Sequence, residues 1–209
     1  YVFSSGVVLI DLSPTSNGFY SLGTDFVASG DFEAEVDFVT TSTSFAFIIS
    51  GGASATDLEI AVTSSGGIQI FYSASSRIEV GSGYNDGKLH ELKLVRSGTS
   101  VSVDVDGTNI LNITISGDAT FADIGRRGGS GFYFNGIISN VKLTDIATPA
   151  NSLEFKLDQL TANTETNNGV TLTYQNIGTG TSVRNTYVLS NGGTQYISDL
   201  RTIDIAAQA

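Results

Sequence analysis

Three carboxylates, Glu33, Glu35 and Asp37, alternate with Phe32, Ala34, Val36 and Phe38. Strand residues two apart point to the same side and sit about 6.5–7 Å from one another, so the three acids share one face. Two carboxylates near that separation can divide acid and base work on a glycosidic bond. The competing reading is a solvated strand face backed by a dry one, the ordinary state of an antiparallel sheet with one side toward water, and it needs nothing further. His90, the single histidine, could serve as a general base, but beside Asp86-Gly87 it more economically satisfies a hydrogen bond at that turn. Gly81-Ser82-Gly83 lacks the Gly-x-Ser-x-Gly spacing of a nucleophile elbow, and no strand-to-helix turn surrounds it, which argues against a Ser-His-Asp hydrolase.

A ligand can also be held without being changed. Arg126, Arg127 and Tyr133 flank Gly128-Gly129-Ser130-Gly131, and Tyr72 and Tyr84 could add two further rings. Aromatic platforms with a few polar groups at a loop rim suit a sugar, whose ring has an apolar face and a polar edge. These five are the candidate ligand-binding residues. Against that, the arginines serve equally well as ion-pair partners in an acidic chain, and the tyrosines as half-buried sandwich residues. Calcium would take oxygen ligands from loop carboxylates such as Asp57, Asp118 or Asp123. No contiguous ligand loop is present, so no metal residue is assigned. Asn112-Ile113-Thr114 matches a glycosylation acceptor, a triplet that also arises by chance.

The elements that must position these groups read as strands. Val101, Val103 and Val105 alternate with Ser102, Asp104 and Asp106 before Gly107. Leu58 to Val62 and Gly67 to Tyr72 form a hairpin around Ser64-Ser65-Gly66, and the unbroken apolar run Phe45 to Ile49 predicts a strand buried on both faces. Further strands are predicted at Phe132 to Phe134, Ile137 to Leu143, Leu153 to Leu157, Val170 to Tyr174, Thr186 to Leu189 and Tyr196 to Ile203. Asn17-Gly18, Asp106-Gly107, Asn135-Gly136, Asn168-Gly169 and Asn191-Gly192 punctuate them. No convincing helix is readable. Short strands at this spacing indicate an all-β, two-sheet antiparallel sandwich or jelly roll. Residues 144–152 are the best internal boundary, but the strand that follows is expected to pair back into the same sandwich, so one domain over 1–209 is the expectation.

Composition narrows the partners. With 40% apolar residues and 15% charged, the chain can bury a real core. A net charge of −11 with only ten basic residues repels phosphate backbones and anionic lipid, so neither nucleic acid nor membrane insertion is expected. No apolar stretch approaches the roughly 18 residues of a membrane span. The absence of cysteine removes disulfides, thiolate zinc sites and a cysteine nucleophile, and fits bacterial or viral exterior proteins better than eukaryotic secreted ones. Tyr1 in place of Met reads as a processed chain or part of a longer one.

One stretch carries a family resemblance. Asp86-Gly87-Lys88-Leu89-His90-Glu91-Leu92-Lys93-Leu94-Val95-Arg96-Ser97-Gly98, followed by Val101 to Val105 and Asp106-Gly107, resembles the laminin-G-like branch of the concanavalin A-like lectin/glucanase superfamily. Phe134-Asn135-Gly136-Ile137-Ile138-Ser139-Asn140-Val141-Lys142-Leu143 looks like that family's later Phe-x-Gly strand, and Phe32 to Phe38 like its early one. The resemblance covers about residues 17–145, and its motifs are specific for fold and weak for function. Leu89 stands where the family usually has Trp, and the cysteine pair of animal members is missing, which points to divergent bacterial and phage relatives. The resemblance implies a histidine that is not catalytic at position 90, and calcium at a loop rim in some members. It also implies use as a module on adhesins, secreted enzymes or virion tail and head proteins. Glucanases of the superfamily carry Glu-x-Asp-x-x-Glu beside Trp, whereas this chain has Glu-x-Glu-x-Asp and no Trp.

The expected function is therefore a non-catalytic, lectin-like binding module on a virion or cell exterior, recognising a surface glycan. Two alternatives stay open. One is a structural virion or surface-layer protein whose partners are other surface proteins or further copies of itself; the other is a glycoside hydrolase or lyase using Glu33 and Glu35. Residues 159–209 have no counterpart in the family and are expected to be strands that either complete the sandwich or dock to a partner.

Overall fold

A computed structural model describes residues 18–51, 58–73, 76–128, 132–157, 164–176, 189–191 and 194–196. Strands run in chain order as Gly18–Ala28 (β1), Phe32–Val39 (β2), Ala46–Ser50 (β3), Glu59–Val62 (β4), Ile68–Ser73 (β5) and Ser76–Val80 (β6). They continue as His90–Ser97 (β7), Ser100–Val105 (β8), Thr108–Thr114 (β9), Ala119–Ile124 (β10), Ile137–Asp145 (β11) and Leu153–Lys156 (β12). The last are Thr164–Asn167 (β13), Val170–Asn176 (β14), Leu189–Asn191 (β15) and Thr194–Tyr196 (β16). Among the described residues the helical content is one 3-10 turn, Pro149–Asn151.

Two antiparallel sheets form a β-sandwich. The first has eight strands in the order β13-β14-β1-β10-β3-β4-β5-β6, the second six in the order β12-β11-β2-β7-β8-β9; β15 and β16 pair as a separate hairpin. The core lies between the two large sheets. Phe32, Ala34, Val36 and Phe38 of β2 are fully buried there against Leu92 and Leu94 of β7 and Val141 and Leu143 of β11. Burial of each large side chain contributes about 1.5–3 kcal/mol, so this alternation alone fixes the register of β2.

Local chemistry sets the turns. Asp106 and Gly107 both have positive φ (53° and 72°), as do Asn168 and Gly169 (47° and 76°). That is the signature of the two-residue hairpin turn whose twist matches its flanking strands. Leu153 and Phe155 of β12 face the core, and β12 pairs with β11, so the chain after the 144–152 connection rejoins the six-stranded sheet as expected. Beyond it, β14 pairs with β1 and places Leu172 and Tyr174 in the core. Residues 164–176 thus extend the eight-stranded sheet. The strands predicted over 186–189 and 196–203 lie largely outside the described residues.

One strand assignment needs correction. Residues 132–134 form no strand. Phe134 is buried under β2, with its N–H bonded to the Gly125 carbonyl at 2.7 Å, while Phe132 is 48% exposed. The segment folds back over the sheet instead of joining a ladder. Its geometry depends on Gly136, because a Cβ there would lie 2.1 Å from the Val39 carbonyl oxygen.

Candidate functional site

The outer face of the six-stranded sheet carries Glu33, Glu35 and Asp37 on β2, as the alternation predicts. Cross-strand pairing sets Lys93 of β7 opposite Glu35, and its ammonium lies 3.1 Å from Glu33 and 3.0 Å from Glu35. Hydrogen bonds to Glu35 and then Glu33 raise the Lys93 pKa above its usual value, against the opposing effect of burial. The two acids are thus a solvated pair sharing one cation.

His90 is enclosed at the start of β7. Its Nδ1 is 2.8 Å from Asp106 Oδ2 and its Nε2 is 3.2 Å from Asp86 Oδ1, with Tyr84 edge-on and Phe38 behind. Burial pushes Asp86 upward, but bonds from the Lys88 side chain, the Lys88 backbone N–H and His90 outweigh it and hold the carboxyl at about 2. This cluster ties the 84–90 segment to the β8–β9 turn, where Asp106 also accepts the Glu91 N–H. It is a clasp with no open approach for a substrate at the ring, whose side chain is 9% exposed.

The outer face of the eight-stranded sheet is different in kind. Tyr20 and Leu22 of β1 enter the core, so Phe19 and Ser21 point outward. Ser21 pairs with Asp123 of β10, Asp123 with Ser50 of β3, Phe47 with Ala61 of β4, and Glu59 with Phe71 of β5. This outward row should be wet, yet Phe19, Phe47, Ser50, Glu59 and Asp123 are all buried. The cover is the chain after β10. Gly125 donates to the Ile48 carbonyl, Ser50 Oγ donates to the Arg126 carbonyl, and Arg126 and Arg127 then reach across the sheet.

Arg126 Nε bonds Asp123 Oδ2 at 3.0 Å, and its guanidinium lies 3.5 Å over the Phe19 ring. Arg127 Nε bonds Glu59 Oε1 at 3.0 Å, beside Phe47 and Phe71. Both carboxylates are almost dry, at 5% and 1% side-chain exposure, while the arginines remain 18% and 29% exposed. Phe132 packs on Phe45 and Phe47 with ring centroids 5.6 and 6.2 Å away, and Tyr133 packs on Phe19 at 6.1 Å. A half-exposed aromatic surface with two guanidinium groups at its edge results.

Of the five residues singled out from sequence, three meet here: Arg126, Arg127 and Tyr133. Tyr72 packs against the core from the other side of β5, and Tyr84 lies against His90 at a separate place. The glycine-rich 129–131 stretch lies outside the described residues, as does Asp57. Phe132, Phe45, Phe71 and Glu59 join the site without having been foreseen. The available signal was Glu59 itself, one acid inside an otherwise apolar strand, which requires a buried partner. Among the described residues no group of three or more His, Cys, Asp or Glu could hold a metal ion, and no helix is long and apolar enough to cross a membrane. Asp118 is exposed, and Asp123 is engaged by Arg126.

No family model matches the chain, and no curated protein matches it. Solved structures do. A Bacteroides ovatus protein with a provisional carbohydrate-binding assignment superposes with a TM-score of 0.60 at 13% identity, over 81% of this chain and 58% of that one. The heptameric pentraxin of Limulus polyphemus gives 0.53 at 15% identity, over 82% and 97%. Domains LG4-5 of the mouse laminin α1 chain give 0.51 at 17% identity, over 81% and 46%. This chain therefore spans little more than half of the first of these and less than half of the third. The fold is the concanavalin A-like, laminin-G-like jelly roll.

Proposed function

We propose that this chain is a single non-catalytic, lectin-like domain of a cell or virion exterior. It holds a surface glycan on the outer face of its eight-stranded sheet. The observation that carries the reading is the exposed Phe132 ring, set on Phe45 and Phe47 beside Arg127, with Tyr133 and Arg126 adjoining. Rings of this kind take the apolar face of a sugar, and guanidinium N–H groups take its hydroxyls. The carbohydrate-binding assignment of the Bacteroides ovatus neighbour supports the reading. The rival hydrolase draws little support from Glu33 and Glu35, which are both held by the one Lys93 ammonium.

A glycan-array screen of the whole chain, with and without millimolar calcium, tests it. Saturable binding to a defined glycan class that is lost in Phe132→Ala and Tyr133→Ala is the expected result. Binding unchanged in both variants would remove the site from this face.

A second reading, assembly with copies of itself, has its own observation. Of the four edge strands of the two large sheets, β6, β12 and β13 carry charged side chains, whereas β9, Thr-Asn-Ile-Leu-Asn-Ile-Thr, carries none. In a chain of net charge −11, β9 is the edge where two copies meet without like charges, and among the described residues it lacks the usual protection of an edge. Light scattering at rising concentration should show dimers that Leu111→Lys abolishes; a strictly monomeric chain refutes assembly through β9.

A further inference from the structure

We infer that the aromatic–arginine face selects neutral glycans and discriminates against carboxylated and sulfated ones. The inference rests on the lectin reading above and deepens it. Arginine in a sugar site ordinarily signals an anionic ligand, because its planar fork matches carboxylate and sulfate oxygens. Here both forks are already answered from behind. Asp123 and Glu59 each lie 3.0 Å from a guanidinium nitrogen, and neither carboxylate is more than 5% exposed. Arg126 presents its terminal amino groups to solvent, and the charge of each arginine is balanced within the sheet. An incoming anion would place a third charge beside an almost dry carboxylate, where like charges are poorly screened. It would also approach a chain of net charge −11.

A neutral sugar meets no such opposition. Arg126 spends Nε on Asp123 and its flat face on Phe19, and its terminal amino groups make no hydrogen bond to any other described residue. Those N–H groups can donate to two neighbouring hydroxyl oxygens, as a planar fork does. Tyr133, packed on the same Phe19 ring that Arg126 covers, and Phe132, 48% exposed, offer apolar surface for the C–H faces of an oligosaccharide's rings. Recognition is then by hydrogen bonding and ring contact, and salt should scarcely alter it.

The test compares neutral oligosaccharides with uronate-containing and sulfated counterparts, by titration calorimetry on the whole chain at low and high salt. Expected are saturable binding of a neutral glycan that changes less than about twofold with salt, and at least about tenfold weaker binding of its charged counterpart. Phe132→Ala removes a half-exposed ring, so it should lower neutral binding about tenfold while the chain still folds cooperatively, its melting temperature falling by only a few degrees. Asp123→Asn removes the balancing charge and keeps the side-chain volume, so it should raise affinity for the charged glycan. Tighter binding of charged glycans by the unaltered chain, weakening steeply with salt, overturns the inference and leaves the lectin reading standing. An unchanged preference in a folded Asp123→Asn protein overturns it as well. Silence in both glycan arms instead refutes the lectin reading itself, and the inference with it.

Discussion

The two outer faces of this sandwich solve one problem, a carboxylate facing away from the core, in opposite ways. On the six-stranded sheet, Glu33 and Glu35 share Lys93, with about a third of the Lys93 and Glu33 side chains and a fifth of Glu35 exposed, and Lys156 lies 3.6 Å from Glu154. Water does most of the solvating there, and such pairs contribute about 0–1 kcal/mol each. On the eight-stranded sheet, Glu59 is 1% exposed and depends on Arg127 at 3.0 Å, within a frame of phenylalanine rings. Desolvation has already been incurred there, so the partner is obligatory. A sandwich needs only one core, and neither Phe47 nor Glu59 belongs to it. A second dry layer built on the outside, with polar donors at its rim, is the arrangement a binding surface requires.

The sharpest way to break this comparison is to remove one cation from each face. Arg127→Ala removes the cation from a buried carboxylate and should cost about 3–5 kcal/mol. Lys93→Ala leaves two carboxylates that water can reach and should cost about 1 kcal/mol or less. Urea unfolding of the two variants measures both. Equal costs would show the faces to be energetically alike, and the distinction drawn from burial would fall. If Arg127→Ala yields no folded protein, Arg127→Ala with Glu59→Gln should restore much of the loss, because the buried negative charge is then gone.

How much of this was legible in the sequence follows the same division. The acidic face was readable because strand alternation is strict: Phe32, Ala34, Val36 and Phe38 against Glu33, Glu35 and Asp37. The predicted fully buried strand at 45–49 was readable as well, and the structure buries every residue of β3. Its reason was not, since the outer cover comes from residues some 80 positions later in sequence, and no local pattern encodes that contact. β1 escaped notice because its register shifts between Ser21 and Phe26, which breaks the period of two. Phe132 to Phe134 looked like a strand because apolar residues in a row are ambiguous until a ladder partner is found. Arg126 and Arg127 were named as polar groups flanking a glycine-rich loop, and Tyr133 for its ring. Their convergence with Phe132 over Glu59 and Asp123 is a property of the three-dimensional fold. Tyr72 and Tyr84 share that composition signal but lie elsewhere, which shows how little residue type alone says about placement.

A smaller effect separates the faces by chemistry instead of burial. Hydrogen bonds to Glu35 and Glu33 lift the Lys93 pKa above its usual value, against desolvation. A raised folded-state value means the contribution is fully present below the unfolded pKa and disappears as pH rises through the folded one. The stability difference between the wild-type chain and Lys93→Met should therefore hold near about 0.5 kcal/mol at neutral pH, a figure discounted for exposure, and shrink toward zero in strong alkali. Guanidinium groups as a class are not deprotonated in proteins. The difference between the wild-type chain and Arg127→Ala should accordingly persist where the Lys93 difference vanishes. Denaturation series at neutral and alkaline pH, taken as wild-type minus variant so that tyrosine ionisation cancels, read this directly. Parallel loss at both sites would mean that the arginine face opens to solvent in alkali, and its description as a closed dry layer would not survive.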